Sequence, residues 1–476
     1  MSKKIRVRFA PSPTGYMHIG NVRAALLNFL FAHQKNGTFI LRIEDTDQNR
    51  NIDESGFSIV DTLKWLSLKY DEGPVIGGDY GPYFQSERTV KYQKQLDDMI
   101  RNQLVYRCFC SKEDLESKRE AQIATGQPPR YDRTCLHLSD DKIKEKVSSG
   151  APFIWRFKIN QDSVVEINSM ERGVIKFEMK NFSDFALTRQ DGSFTFLFSN
   201  FVDDYLMGIT HVIRGEDHLT NAAMQAALFY ACAYPLPIFW HLPMLCNLDG
   251  KKMSKRDFGF GIQELREAGF LPEAILNYVA LLGNSFKQEI QSLGELTQNF
   301  DFENISSTGS IKFDMDKLYW VNHKWIERTP ADRLVRLIKP FLHEQIEESV
   351  KLDDKRLEFI LSKVKTDLKT LKDIGETLNF YFNQPKISID EIISQFGENK
   401  AKFIQKIIQK HYDLSDKTEQ FLTNIKADAK DYELSLKEIF GTVRYLLTGK
   451  FNGISVHDLF EILPDVEIAA RLKKLI

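Results

Sequence analysis

Ile5-Arg6-Val7-Arg8-Phe9-Ala10-Pro11-Ser12-Pro13-Thr14-Gly15-Tyr16-Met17-His18-Ile19-Gly20-Asn21 is the stretch on which the reading of the chain turns. Ile5–Ala10 reads as a strand. A turn punctuated by proline and glycine follows, then a helix over Asn21–Lys35, where Val22, Ala25, Leu26, Phe29 and Leu30 share one apolar face. Asn36-Gly37 stops that helix. Thr38–Ile43 reads as a second strand, with Glu44-Asp45-Thr46-Asp47 at its carboxyl end. Strand, glycine turn, helix and strand form a βαβ unit, and ligands bind such sheets beyond the carboxyl ends of the strands. Both Pro11–Asn21 and Glu44 fall at that edge.

Outward from this unit the character of the sequence changes twice. Glycine and proline cluster at Gly73–Pro82, and alternation in Phe153–Ile159 points to antiparallel strands. Residues 71–185 therefore read as an insertion between two halves of an α/β domain, 1–70 and 186–240. The βα pattern is expected to resume with Phe194–Phe198 and Val212-Ile213-Arg214, followed by a helix from about His218 to Ala233. After Phe258 the pattern is mainly helical, through 241–330 and a final helical domain, 331–476. There Leu436, Ile439, Phe440, Val443, Leu446 and Leu447 trace one apolar face stopped by Gly449, and Phe403, Ile404, Ile407 and Ile408 trace another.

The chain of 476 residues is 42% hydrophobic and 27% charged, with a formal charge of −2, as for an ordinary globular protein. No apolar run is long enough for a membrane span, and the N-terminus leads into a strand without a signal-like apolar region. Cytoplasm is the expected compartment, and nothing in the sequence demands more than a monomer. Near-neutral charge excludes a chain-wide basic nucleic-acid binder but leaves room for a local positive stripe.

Two motifs carry chemistry. Gly15 and Gly20 allow the backbone to approach a ligand closely, and the helix near Asn21 points N–H groups and its dipole at an anion. His18 adds a donor where charge develops on a phosphoryl group. Far along the chain, Asp249-Gly250 opens a loop bearing Lys251-Lys252-Met253-Ser254-Lys255-Arg256. Ammonium groups on such a loop can close on a departing pyrophosphate. Brought together, the two segments suit the triphosphate of ATP. A third motif pairs Cys108-Phe109-Cys110 with Cys135-Leu136-His137, three thiolates and an imidazole able to complete a tetrahedral structural zinc site. Independent reduced cysteines are the alternative, and that is how Cys232 and Cys246 are read.

The two phosphate-directed motifs resemble the His-Ile-Gly-His and Lys-Met-Ser-Lys-Ser signatures of class I aminoacyl-tRNA synthetases, with Asn21 and Arg256 departing from the pattern. The blocks Arg8–Gly15, Arg42–Asp47, Val202-Asp203-Asp204 and Val212–Leu219 are similar to the glutamyl-tRNA synthetase family. The resemblance implies a Rossmann-type parallel-sheet catalytic domain, an inserted α+β zinc-containing acceptor-stem domain and an all-α C-terminal anticodon-binding region. It implies ligation of L-glutamate to tRNA-Glu, tRNA-Gln or both, with Mg2+ accompanying ATP and one structural Zn2+. His18, Lys252 and Lys255 would serve catalysis. Pro11, Thr14, Gly15, Gly20, Asn21, Met253, Ser254 and Arg256 would join them around ATP. Arg8, Ser12, Glu44, Phe196 and Arg214 would hold glutamate, the two arginines being able to grip carboxylates bidentately. Family members typically carry Tyr where this chain has Phe196. A relative that loads glutamate onto a modified tRNA base lacks a helical C-terminal third, a glutaminyl relative usually has a β-barrel there, and a catalytically dead RNA adaptor would not need His18, Lys252 and Lys255.

Overall fold

The computed structural model describes residues 4–47, 56–253, 257–259, 261–303, 309–411 and 418–475. The chain divides into two compact units, Met1–Glu264 with Ile275–Met315, and Leu265–Ala274 with Asp316–Ile476.

In the first unit, β1 (Arg6–Phe9) and β2 (Thr38–Leu41) run parallel in the register Arg6↔Thr38 to Phe9↔Leu41. They are joined by α1 (Ile19–Gln34), which buries Val22, Ala25, Leu26, Phe29 and Leu30, the face its spacing defines. Gly37 allows the tight return. A Cβ there would lie 2.6 Å from the carbonyl oxygen of Ile5, which accepts the Thr38 N–H at 2.8 Å.

After α2 (Phe57–Trp65) and α3 (Thr89–Arg101) the chain builds a small lobe. In it, β3 (Val105–Cys108) pairs antiparallel with β4 (Ile154–Phe157). Between them lie α4 (Lys112–Ala124) and α5 (Asp140–Ser148), neither of which buries a residue. The hairpin of β5 (Val164–Ser169) and β6 (Gly173–Glu178) comes next. The unit continues with α6 (Phe196–Leu206), β7 (His211–Gly215), α7 (Leu219–Ala231) and β8 (Ile238–Leu242).

β8 runs parallel to β7 on one side and to β5 on the other, giving the order β6-β5-β8-β7. β1 sits against the entrance of β7, where Thr210 N–H donates to Arg6 O at 2.9 Å. The carboxyl ends of β1, β2 and β7 thereby meet. Two details differ from the sequence reading. The hairpin at 164–178, within the stretch read as an insertion, extends this sheet. Phe194–Phe198 does not form a strand: Phe194 makes one bridge to Thr188 and Phe196 opens α6. The spacing of Phe194, Phe198 and Phe201, all buried, is helical and outweighs their strand propensity.

The second unit is helical. Its helix Leu436–Thr448 opens on a Ser435–Glu438 capping box and ends at Gly449 with φ 79°. Ile439, Val443, Leu446 and Leu447 face inward, whereas Leu436 is half exposed. Glu398–His411 buries Ile404, Ile407 and Ile408 and leaves Phe403 at the surface.

Candidate active site

The carboxyl edge of the sheet is held by buried charge. Arg42, with no exposure, donates from Nη1 to Asp204 Oδ1 at 2.7 Å and from Nη2 to Glu44 Oε1 at 3.1 Å. Its Nε stands 3.8 Å from Asp203 Oδ2. Asp203 also accepts from Arg88 Nε at 2.5 Å, Gln85 Nε2 at 2.9 Å and Tyr92 OH at 2.8 Å. Asp204 accepts from Arg8 through Nε at 3.1 Å and Nη2 at 3.3 Å. Glu44 takes a further bond from Asn200 Nδ2, whose oxygen accepts from Gln225 at 3.1 Å.

The network divides its two kinds of carboxyl. Burial alone would raise Asp204, but Arg8 and Arg42 overcome it and hold the group below the usual range. At Glu44 burial prevails over Arg42 and Arg8, and the carboxyl is pushed up. Glu44 therefore faces the cavity under-compensated, a place where a ligand cation would be welcome.

That cavity, about 370 Å³, is lined by Arg8, Pro11, His18, Gly20, Asn21, Glu44, Phe196, Arg214, Lys252 and Met253 among others. Residues more than two hundred positions apart in sequence thus meet on one hollow. Arg214, near the end of β7, is buried, and its Nε and Nη1 find no partner among the described residues. Nη2 reaches the His218 carbonyl at 3.4 Å. Burial, with the like charge of Arg8 adding to it, pulls Arg214 down to about 9, so it stays a cation at neutral pH. Asp204 takes Nε and Nη2 of Arg8, whereas Arg214 keeps Nε and Nη1, and Arg23, which also lines the cavity, keeps Nε and Nη2 without a partner among the described residues. Phe196, the first residue of α6, sits 5.6 Å from the His218 ring between centroids.

His18 caps α1. Its Nδ1 accepts the Asn21 N–H at 3.2 Å, and its own N–H donates to Asn21 Oδ1 at 3.1 Å. An accepting Nδ1 in the neutral ring leaves the proton on Nε2. The backbone N–H of residue 21 thus fixes the tautomer, and the Asn21 side chain, the departure from the family signature, completes the capping box. Gly20 gives the ring its room, because a Cβ there would stand 3.1 Å from Nδ1 and Cε1.

On the basic loop, Met253 is buried and donates its N–H to Leu245 O at 3.1 Å, and Lys252 is exposed at the rim. Ser254, Lys255 and Arg256 lie outside the described residues. Beyond them Gly261 bridges His18, with Ile262 N–H donating to Met17 O at 3.0 Å. The C-terminal flank of the basic segment therefore lies against the turn that carries His18, and Lys252 and Met253 on its other flank line the same cavity. Ser12, Thr14 and Gly15 do not line the cavity, and Ser12 is exposed. Asn200, a lining residue unnoticed in the sequence, follows Phe196 by four positions, and that helical spacing is the signal that could have found it.

In the lobe, the sulfurs of Cys108, Cys110 and Cys135 lie within 4.8 Å of one another. Tyr131 OH stands 3.3 Å from Cys108 Sγ and accepts the Cys135 N–H at 3.1 Å. Three converging thiols are a donor set suited to zinc. His137, on the turn Thr134–His137, is exposed and its ring is not part of that group. Cys246 is buried and Cys232 half-buried.

With this geometry in place, the comparisons are unambiguous. Residues 4–320 match the catalytic domain of "tRNA synthetases class I (E and Q)", and 333–476 match an "Anticodon binding domain". The chain belongs to the class I tRNA synthetases, and within them to the glutamate–tRNA ligases. It is 37% identical to the glutamate–tRNA ligase of Elusimicrobium minutum, over 99% of this chain and 98% of the relative. It is 34% identical to that of Bacillus velezensis over the full length of both. A crystal structure of the Elizabethkingia meningosepticum glutamate–tRNA ligase in complex with its amino acid superposes with a TM-score of 0.88, at 32% identity and 99% coverage of both chains. Among the described residues no helix is long and apolar enough to cross a membrane.

Replacing Arg42 by Met strips Glu44, Asp203 and Asp204 of their shared cation. Stability in chemical denaturation should fall by about 3–5 kcal/mol, the usual cost of leaving buried charges unpaired. An unchanged midpoint would remove the network from its structural role.

Proposed function

We propose that this enzyme joins L-glutamate to the 3′ end of tRNA through a glutamyl-adenylate, in the cytoplasm and as a monomer. Arg214 carries the proposal: a buried cation with two unpartnered donors, in one cavity with Glu44, His18 and Lys252. A ligand carboxylate can take Nε or Nη1 of Arg214 together with Nη2, the two forks that a guanidinium offers. The amino acid's ammonium answers Glu44, and the aromatic face of Phe196 closes the pocket. The α-carboxylate oxygen attacks the α-phosphorus of ATP, the bond to the β-phosphate bridge breaks, and pyrophosphate leaves. The Nε2–H of His18 donates to the phosphoryl oxygens as charge shifts, while Lys252, with Lys255, meets the departing pyrophosphate. Mg2+ supplies the remaining charge neutralisation for the triphosphate. In the second step the 2′-hydroxyl of the terminal ribose takes the acyl group and AMP departs.

Residues 71–185 would receive the acceptor stem, with Cys108, Cys110 and Cys135 holding a structural zinc ion and His137, whose ring lies outside that thiol group, as the fourth ligand the sequence pattern offers. Zinc there pins the two turns and takes no part in the reaction. Residues 331–476 would read the anticodon. Helices over that region favour a glutamyl enzyme over a glutaminyl one or a shorter base-loading relative.

Charging of separately purified tRNA-Glu and tRNA-Gln with labelled glutamate tests this reading, together with glutamate-dependent exchange of pyrophosphate into ATP. Glutamate should be transferred to tRNA-Glu, tRNA-Gln or both, and failure on both would reject it. Phe196→Tyr should lower the KM for glutamate, because a hydroxyl adds a polar contact of about 1 kcal/mol; an unchanged KM refutes that contact.

The raised carboxyl of Glu44 gives a pH signature. Its protonated form offers an ammonium no charge, so the glutamate KM should climb as pH falls from neutral, and Glu44→Gln should flatten that dependence. A parallel slope in both proteins would contradict the assignment. Exhaustive chelation should release about one zinc per chain and lower the melting temperature of the first unit. Protein that contains no zinc after gentle purification speaks against the site.

A further inference from the structure

His241 is fully buried on β8 and has no part in the mechanism above. Its backbone N–H donates to Glu171 Oε1 at 3.3 Å, and its ring lies parallel to Phe239 with centroids 5.9 Å apart. Neither ring nitrogen has a partner among the described residues. Buried polar atoms without partners are rare enough to need a reason.

Strand register supplies one. In the parallel ladder of β7 and β8, Arg214 is paired directly with His241, and Val212 with Phe239. Arg214 and His241 therefore project from the same face of adjacent strands. The Arg214 guanidinium also lies 5.7 Å from the centroid of Phe239, the ring on which His241 stacks. Two unpartnered donors of Arg214 and two unpartnered nitrogens of His241 thus belong to directly paired residues on one face of the sheet. Arg214 lines the cavity; His241 stands behind it.

The surroundings keep this imidazole neutral. Burial, then Arg214, Arg172, His218 and Arg8, pull it down to about 3, with Glu171 the acid its backbone meets. A neutral ring keeps one nitrogen as an acceptor. Its uncharged state matters. An acid in this place would neutralise Arg214 and compete with the substrate carboxylate. An apolar residue would leave a guanidinium N–H bare.

We propose, on the reading of the site given above, that His241 is a positioning residue for Arg214. Its acceptor nitrogen engages one guanidinium N–H, directly or through one buried water, and turns the remaining donors toward the carboxylate of bound glutamate. Asp204, Glu44 and Asp217 offset the burial of Arg214 only in part, so a substrate carboxylate adds a counter-charge that an isosteric amide would not.

His241→Phe keeps the ring and its stacking while removing both nitrogens, and His241→Gln restores a neutral acceptor. In tRNA-dependent ATP–pyrophosphate exchange, His241→Phe should raise the glutamate KM about tenfold, the effect of one unsatisfied buried donor. The ATP KM should stay within about twofold, and His241→Gln should recover most of the loss. An unchanged glutamate KM, or equal rises for glutamate and ATP, would overturn the proposal. If His241→Phe gives no cooperative melt, the isosteric pair His241→Gln and His241→Glu decides. The glutamate variant should bind substrate about tenfold more weakly than the glutamine variant, since its charge is spent on Arg214; equal affinities would overturn the proposal. Unmodified protein without glutamate-dependent exchange is a separate failure, that of the site reading, and takes this inference with it.

Discussion

One guanidinium, that of Arg42, stands where three carboxylates from two elements converge, and the site is arranged around it. Glu44 comes from the end of β2, and Asp203 and Asp204 from α6. Through Asp204 the linkage reaches Arg8 on β1, and through Asp203 it reaches Arg88. Buried ion pairs are poor sources of net stability, because desolvation offsets most of their attraction. They are good at forbidding alternatives. Three acids and three arginines pair across these strand ends, so geometry at the carboxyl edge is constrained before a ligand arrives.

The same network divides labour between two arginines that look alike in the sequence. Arg8 is largely used internally by Asp204, and Arg214 keeps two donors without a partner among the described residues. One arginine holds the wall, and the other waits for an anion. Glu44 makes the complementary bargain, buried beyond what its cations can compensate. A zwitterion with a carboxylate and an ammonium at suitable separation relieves both discomforts together, which is how pre-organised polar sites select their ligand.

Much of this was legible in the residues. The βα turn, the face of α1, the cap at Gly449 and the pairing of His18 with Lys252 follow from periodicity and from motif chemistry. Gln225 and His241 were not legible, because their importance lies in partners contributed by other strands and helices, whereas Asn200 was marked only by its helical spacing from Phe196. Phe194–Phe198 misled because aromatic residues suit strands as well as helices, and only the seven-residue span to Phe201 separates the two. Ser12 and Thr14 illustrate the reverse case: they sit inside a recognisable motif and do not line the cavity.

The cap on α1 has a consequence of its own. One hydrogen bond, from Asn21 N–H to His18 Nδ1, both starts the helix and decides where the ring keeps its proton. A second proton on the imidazole would convert that acceptor into a donor facing another donor. The first turn would then begin to fray just as the ring gained charge. The start of the helix and the tautomer of the imidazole are thus set by the same contact, and a change to either is felt by the other.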